Sequence, residues 1–185
     1  MKLLDRARRK SPWILHYNAG SCNGCDIEIW STLTPMYDVE RFGIVNVGNP
    51  KHADILVVTG PVNQRNMRVL RNLYDQILEP KAVVAVGICA ASGGVFAGCY
   101  NCLGGVDKVI PVDVYVPGCA CKPEMIMQGV LMAAERLNEN RTALQGAAPE
   151  SLADPNAAPC DLASGDVPTD GDSGTEAPIN EEKSP

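Results

Sequence analysis

Two short runs, Ile55-Leu56-Val57-Val58 and Ala82-Val83-Val84-Ala85-Val86, carry no polar side chain at either parity, and each is followed closely by a glycine, Gly60 or Gly87. A strand with one wet face alternates apolar and polar residues. An unbroken apolar strand must be covered on both faces, the situation of a parallel sheet flanked by helices. The cover is written in the same sequence. Between the two runs, residues 64–79 place Met67, Leu70, Leu73, Tyr74, Ile77 and Leu78 at helical spacing, and residues 123–137 do the same with Ile126, Val130, Ala133, Ala134 and Leu137. Pro123 suits a first helical turn, and Glu124 suits the positive end of the helix dipole. Residues 13–17, 42–47 and 112–116 read as three more strands, and a shorter helix is expected after Cys25, with Asp26 and Glu28 in its first turn. Strands alternating with helices at this spacing predict right-handed crossovers and an α/β fold, a doubly wound parallel sheet in a single domain.

A chain of 185 residues with 45% apolar content is sized for one such domain. Its formal charge of −6 is unevenly spread, because residues 146–185 hold nine acids against Lys183 alone and carry −8, leaving +2 on residues 1–145. With no basic run beyond Arg6-Ala7-Arg8-Arg9-Lys10, and with 5% aromatic residues, the domain lacks the footprint of a nucleic-acid binder. Residues 146–185 are rich in Ala, Pro, Gly, Ser and acids without apolar periodicity, so they read as an acidic disordered tail. After the basic start only Ser11-Pro12-Trp13-Ile14-Leu15 precedes His16, too little for a secretory or twin-arginine signal, so a cytoplasmic chain is expected. Residues 82–106 contain no charge, but six glycines and three cysteines make them a buried strand emptying into a glycine-rich loop rather than a membrane span.

Eight cysteines stand at Cys22, Cys25, Cys89, Cys99, Cys102, Cys119, Cys121 and Cys160, and a cytoplasmic chain would use such a set on metal rather than in disulfides. Four are placed alike. Cys22 and Cys25 follow the first strand, Cys89 follows the 82–86 strand, and Cys119 follows Val116-Pro117-Gly118. In an open parallel sheet the residues just past the carboxyl ends of the strands share one edge, so these four thiols are expected to converge from three loops. Four thiolates with neighbouring glycines match the needs of a 4Fe-4S cluster. Zinc is the rival, since Cys-x-x-Cys is also a zinc spacing, although structural zinc sites usually take two local pairs. Cys99 and Cys102 form a second Cys-x-x-Cys without a further pair to complete a site, and Cys160 is a lone thiol in the tail. The 87–94 segment lacks the Gly-Lys-Ser/Thr ending of a phosphate loop. His16 reads as a satisfied core histidine, Asp26 and Glu28 as acids favouring a helix start, and Met125, Met127 and Met132 as packing residues.

Longer motifs carry a resemblance. Ser21-Cys22-Asn23-Gly24-Cys25-Asp26-Ile27-Glu28, Pro35-Met36-Tyr37-Asp38-Val39-Glu40-Arg41-Phe42-Gly43, Thr59-Gly60-Pro61-Val62, and the run from Gly104-Gly105-Val106-Asp107 to Val116-Pro117-Gly118-Cys119 resemble the small subunit of energy-converting, membrane-bound nickel-iron hydrogenases. That family is homologous to the complex I subunit that carries its terminal cluster, and the resemblance covers roughly residues 10–138. It implies a flavodoxin-like fold over residues 1–145 holding one proximal 4Fe-4S cluster through Cys22, Cys25, Cys89 and Cys119. It further implies a non-catalytic electron-transfer role between a nickel-iron large subunit and a ferredoxin-like iron-sulfur subunit. The complex would sit peripherally on the cytoplasmic side of the cell membrane, held by integral membrane subunits. Complex I relatives have two adjacent cysteines at the first motif, so the separation of Cys22 from Cys25 favours the hydrogenase branch. A complex I-like quinone or sulfur reductase subunit is the nearest alternative, and a zinc-stabilised interaction module a more distant one. Family members commonly read Gly-Cys-Pro-Pro after the last strand, whereas this chain reads Gly118-Cys119-Ala120-Cys121, so Cys121 competes as fourth ligand. Cys119 is preferred because it holds the motif position.

Overall fold

The structure, a computed structural model, describes residues 11–144, with side chains through residue 137. The acidic segment 146–185, its expected disorder and Cys160 lie outside the described residues. Along the chain the elements are β1 (Trp13–Asn18), α1 (Gly24–Thr32), β2 (Val45–Asn46), β3 (Ile55–Thr59), β4 (Val62–Asn63), α2 (Gln64–Gln76), β5 (Ala82–Val86), α3 (Ile88–Ser92), β6 (Cys102–Gly104), β7 (Val114–Val116) and α4 (Pro123–Leu144). Five strands form one sheet in the order β2-β1-β3-β5-β7, and every pair in it is parallel. Numbered among themselves they run 2-1-3-4-5, the flavodoxin-like order, with the switch point between β1 and β3.

The unbroken apolar runs are the middle of this sheet, and every residue of β3 and β5 is buried. Alternate side chains feed two separate cores. Ile55, Val57, Val84 and Val86 pack with Ile29 of α1 and with Ile126, Val130 and Ala133 of α4. Leu56, Val58, Val83 and Ala85 pack on the other face with Leu70 of α2 and Ala90 of α3. The α/β doubly wound architecture read from the sequence is therefore the one observed.

Boundaries differ in instructive places. The 42–47 strand shrinks to Val45–Asn46, because Val39–Phe42 makes a tight helical turn closed by Gly43 at φ 81°. The 64–79 helix stops at Gln76, since Ile77 turns extended at ψ 128° to enter the core and Pro80 disfavours helix at Glu79. The last helix runs on to Leu144. The 82–106 stretch holds more than a strand and a loop: α3 follows β5 directly, and β6 pairs antiparallel with β4, Val62 opposite Gly104 and Asn63 opposite Cys102. Sequence periodicity gave no sign of that small ribbon.

Helix α4 crosses β7 at Gly129, where an added Cβ would stand 2.3 Å from Val116 Cγ2. Val116 is β-branched and cannot swing aside. Overpacking of this kind costs about 1–3 kcal/mol, against about 1 kcal/mol gained by replacing glycine with alanine inside a helix. Gly129→Ala is expected to lower the urea midpoint, whereas Gly48→Ala, with nothing within 4 Å of the added carbon, should leave it in place. A raised midpoint for Gly129→Ala would show that α4 slides freely on the sheet.

Candidate metal centre

The carboxyl ends of β1 and β3 are joined by one buried carboxylate. Asp26, in the first turn of α1, accepts from Thr59 Oγ1 at 2.6 Å and His16 Nε2 at 2.7 Å through Oδ1. Through Oδ2 it accepts from Asn18 Nδ2 at 3.1 Å and from the Ser21 hydroxyl. Asn18 completes the knot, its Oδ1 accepting the amides of Gly20 and Ser21, each at 2.8 Å. Backbone meets backbone here as well: Gly60 sits at φ +80° and a Cβ on it would come within 2.3 Å of the Ser21 amide nitrogen. Burial alone would push the Asp26 carboxyl up, but the hydrogen bonds from Ser21, Thr59 and His16 outweigh it and hold the carboxyl below the ordinary range. His16 is thus a satisfied histidine as expected, its ring also edge-on to Trp30 at 6.2 Å. The role of Asp26 is larger than that of a helix-start acid.

This knot fixes the loop that carries Cys22 and Cys25. Cys25 is half-buried in the first turn of α1, facing Gly87 at the end of β5, where an added Cβ would lie 2.8 Å from Cys25 Sγ. Gly87 has φ +92°, so the close approach and the backbone both require glycine. Cys22 is exposed on the turn before it, and that turn lies against the loop after β7: a Cβ on Gly24 would be 3.5 Å from Cys22 Sγ and 3.6 Å from Ala120 Cβ. Cys89, half-buried in α3, has its thiol pushed up by burial and then by the charges of Cys119, Cys22, Cys25 and Cys102. Cys22, Cys25, Cys102 and Cys119 thus all bear on the Cys89 thiol; Cys25 and Cys89 stand in the first turns of α1 and α3, and Cys119 follows β7. Among the described residues no three His, Cys, Asp or Glu side chains are grouped as for a single metal ion.

The remaining thiols divide. Cys121 is buried, its thiol donating to Val116 O at 3.3 Å, and its sulfur faces Gly87 as that of Cys25 does. The neighbouring Cys121 thiol is the largest influence on Cys25 and draws its thiol down to about 6, while Cys121 is pushed up. Cys99 is exposed and Cys102 half-buried on the ribbon, joined by the Cys102 amide donating to Cys99 O at 2.9 Å. Of this second pair only Cys102 touches the field at Cys89. Sequence reasoning missed Thr59, Asn18 and Ser21 as builders of the site; the usable signal was that Thr59 ends β3 at the switch point. A pocket of about 550 Å³ lined by Trp13, Lys51, His52, Asp54 and Leu78 opens at the amino ends of β1 and β3 and contains no cysteine.

Residues 22–133 match the NADH ubiquinone oxidoreductase, 20 Kd subunit, family, and the chain belongs to that family. It is 52% identical over 128 residues, 69% of this chain and 77% of the relative, to a probable membrane-bound hydrogenase subunit of Pyrococcus furiosus. It is 48% identical over 130 residues, 70% of each chain, to a subunit of the NADH-quinone oxidoreductase of Flavobacterium psychrophilum. Among solved structures it superposes on a chain of the membrane-bound sulfane sulfur reductase, an archaeal respiratory membrane complex, with TM-score 0.65 and 36% identity, covering 76% of this chain and 77% of that one. The resemblance read from the motifs is borne out, and these relatives are subunits of oxidoreductase complexes. No helix among the described residues is long and apolar enough to cross a membrane.

Replacing Asp26 tests the knot. A carboxyl held below its unfolded value contributes stability at neutral pH that is lost as pH falls through the folded value. Asp26→Asn is expected to cost about 1–3 kcal/mol at pH 7, and the gap to the unaltered chain should narrow below about pH 4. Urea unfolding at both pH values measures it. A gap independent of pH would show that the charge of Asp26 contributes nothing.

Proposed function

We propose that this chain is the electron-transfer small subunit of an energy-converting hydrogenase complex, carrying one proximal 4Fe-4S cluster on Cys22, Cys25, Cys89 and Cys119. What supports the reading is that Cys22, Cys25 and Cys119 all bear on the Cys89 thiol past the carboxyl ends of the sheet's strands, in a chain 52% identical to a probable membrane-bound hydrogenase subunit. The donor set fits the group: all four are sulfur, and Gly87 and Gly94 leave room beside Cys25 and Cys89 that a Cβ would fill at 2.8 and 3.1 Å. When bound, such a cluster accepts and releases single electrons. What the chain supplies is a rigid seat. The Asp26 knot orients the Cys22 and Cys25 loop, β5 and α3 present Cys89, and the turn after β7 presents Cys119. Proton or hydrogen chemistry belongs to a nickel-iron large subunit, and a ferredoxin-like subunit exchanges the electron. Integral membrane subunits hold the complex on the cytoplasmic face of the membrane. Residues 1–145 form the cluster-bearing domain and 146–185 an acidic appendage that this electron path does not need.

A complex I-like sulfur or quinone reductase is the second reading, favoured by the superposition on the sulfane sulfur reductase chain. Hydrogen uptake or evolution by the purified complex supports the first reading. Reduction of polysulfide or quinone without hydrogen activity, with no nickel in the neighbouring subunit, supports the second.

Metal analysis and single substitutions test the cluster itself. About four iron and four labile sulfide per chain are expected, with a paramagnetic signal on reduction, and Ser at Cys22, Cys25, Cys89 or Cys119 should abolish or convert it. The same change at Cys99 or Cys102 should not. Stoichiometric zinc without sulfide would replace this reading with the zinc-stabilised module.

A large subunit is expected to cover the cluster edge, where Ile27, Trp30, Val95 and Tyr100 are exposed, Tyr100 at 98%. Amides in 22–30 and 92–105 should therefore exchange deuterium more slowly in the complex than in the separate chain. Unchanged uptake on assembly would place the partner elsewhere.

A further inference from the structure

Cys99 and Cys102 have no part in the proposed ligand set, yet the fold holds them as a pair. Among the described residues they are the one pair of cysteines joined by a backbone hydrogen bond: the Cys102 amide donates to Cys99 O at 2.9 Å and closes a turn with Tyr100 and Asn101 at its tip. Such a turn keeps its end Cα atoms within about 7 Å, and a disulfide bridges Cα atoms about 4.4–6.8 Å apart. Both ends of the turn are anchored. The Cys99 amide donates to Phe96 O at 3.2 Å, Cys102 stands opposite Asn63 in the ribbon of β4 and β6, and Asn101 O accepts from the Gln64 amide at 3.2 Å. The two sulfurs differ in access, since Cys99 is exposed and Cys102 half-buried. A reagent arriving from solvent therefore meets Cys99 first.

We propose that Cys99 and Cys102 form a thiol–disulfide exchange site, oxidised to an internal disulfide by a small-molecule disulfide and reopened by thiols. The Cys99 thiolate attacks the small disulfide, forms a mixed disulfide and expels one small thiolate. The Cys102 thiolate then attacks the Cys99 sulfur, forms the internal bond and expels the second. Overall two protein thiols give up two electrons and two protons, and one small disulfide becomes two small thiols. Because the turn already holds Cys102 beside Cys99, the second step is intramolecular and outcompetes reversal by free thiol. The pair lies in the segment expected to face a partner, so the exchange belongs to the separate chain, before that face is covered, and it closes the turn that carries the exposed Tyr100. The chemistry uses neither the cluster nor its ligands.

The test treats the separate full-length chain with oxidised glutathione in the absence of oxygen, blocks the remaining thiols by alkylation, and digests the unfolded chain with chymotrypsin, which cuts after Phe96, Tyr100 and Leu103. Fragments 97–100 and 101–103 hold one cysteine each, Cys99 and Cys102, so after cleavage at Tyr100 they travel together only through the internal disulfide. Mass spectrometry is expected to find them as one species that separates on adding dithiothreitol. In Cys102→Ser the second step is lost, and Cys99 should hold about tenfold more glutathione than in the unaltered chain, the ratio set by a local thiol in the millimolar range against about 0.1 mM of free thiol. Separate fragments from the unaltered chain, alkylated or each carrying its own glutathione, overturn the proposal, as does linkage of either fragment to Cys89. Equal glutathione on Cys99 with and without the Cys102 thiol overturns it too. The joined species is read on the unaltered chain, so it decides the matter whether or not the variant folds. Failure of the cluster reading looks different: it removes the four-iron signal and leaves the joined fragments in place.

Discussion

The carboxylate of Asp26 is the point on which the site edge depends. It lies at the switch point between β1 and β3, where neighbouring connections leave to opposite faces of the sheet and a crevice opens. A charge buried there without partners would be expelled or neutralised. Four side-chain donors, from two strands and one loop, instead make it a fixed post, and they do so only if β1, β3 and the start of α1 are in register with one another. Cys25 is its chain neighbour. The position of Cys22 and Cys25 is thus set by a polar knot, while the positions of Cys89 and Cys119 are set by the parallel ladder through β5 and β7.

What was legible in the sequence follows the same division. The middle strands declared themselves because no residue in them could face water, and α4 because its apolar stripe from Ile126 to Leu137 keeps helical spacing throughout. The four thiols read as a set because the ends of parallel strands share an edge. The knot was hidden, since an acid in a first helical turn already has an adequate local explanation and nothing near Asp26 in sequence announces Thr59, which lies 33 residues away. The burial of Cys121 was hidden for a related reason. Two residues beyond Cys119, it looked like a competitor for the same role, and only the fold of the turn sends one thiol outward and the other under Gly87. The edge strand β2 was overread because Phe42 is apolar, although it is spent on the surface of a turn.

The four thiols are not equivalent. Cys25 and Cys89 are half-buried and Cys22 and Cys119 exposed, so this edge of the sheet is open on the side of the latter two. A partner that docks there meets a surface whose charge and shape come from loops, while the inner half is governed by the sheet. The same inner half is compatible with hydrogenase and with reductase assemblies, both of which stand among the relatives.

The small ribbon of β4 and β6 has a consequence for how such a protein can diverge. By pairing Asn63 with Cys102 it closes the segment after α3 at its far end, while β5 and α3 close it at the near end. Residues between the two closures are free to lengthen, since doubling a closed loop costs only about 0.6 kcal/mol in entropy. Gly94, at the near end of this stretch, stands against Cys89, where an added Cβ would lie 3.1 Å from its sulfur, whereas the residues around Tyr100 are exposed. A lineage changing its partner can rewrite the exposed residues around Tyr100, by insertion as well as by substitution, while Gly94 keeps its place against Cys89.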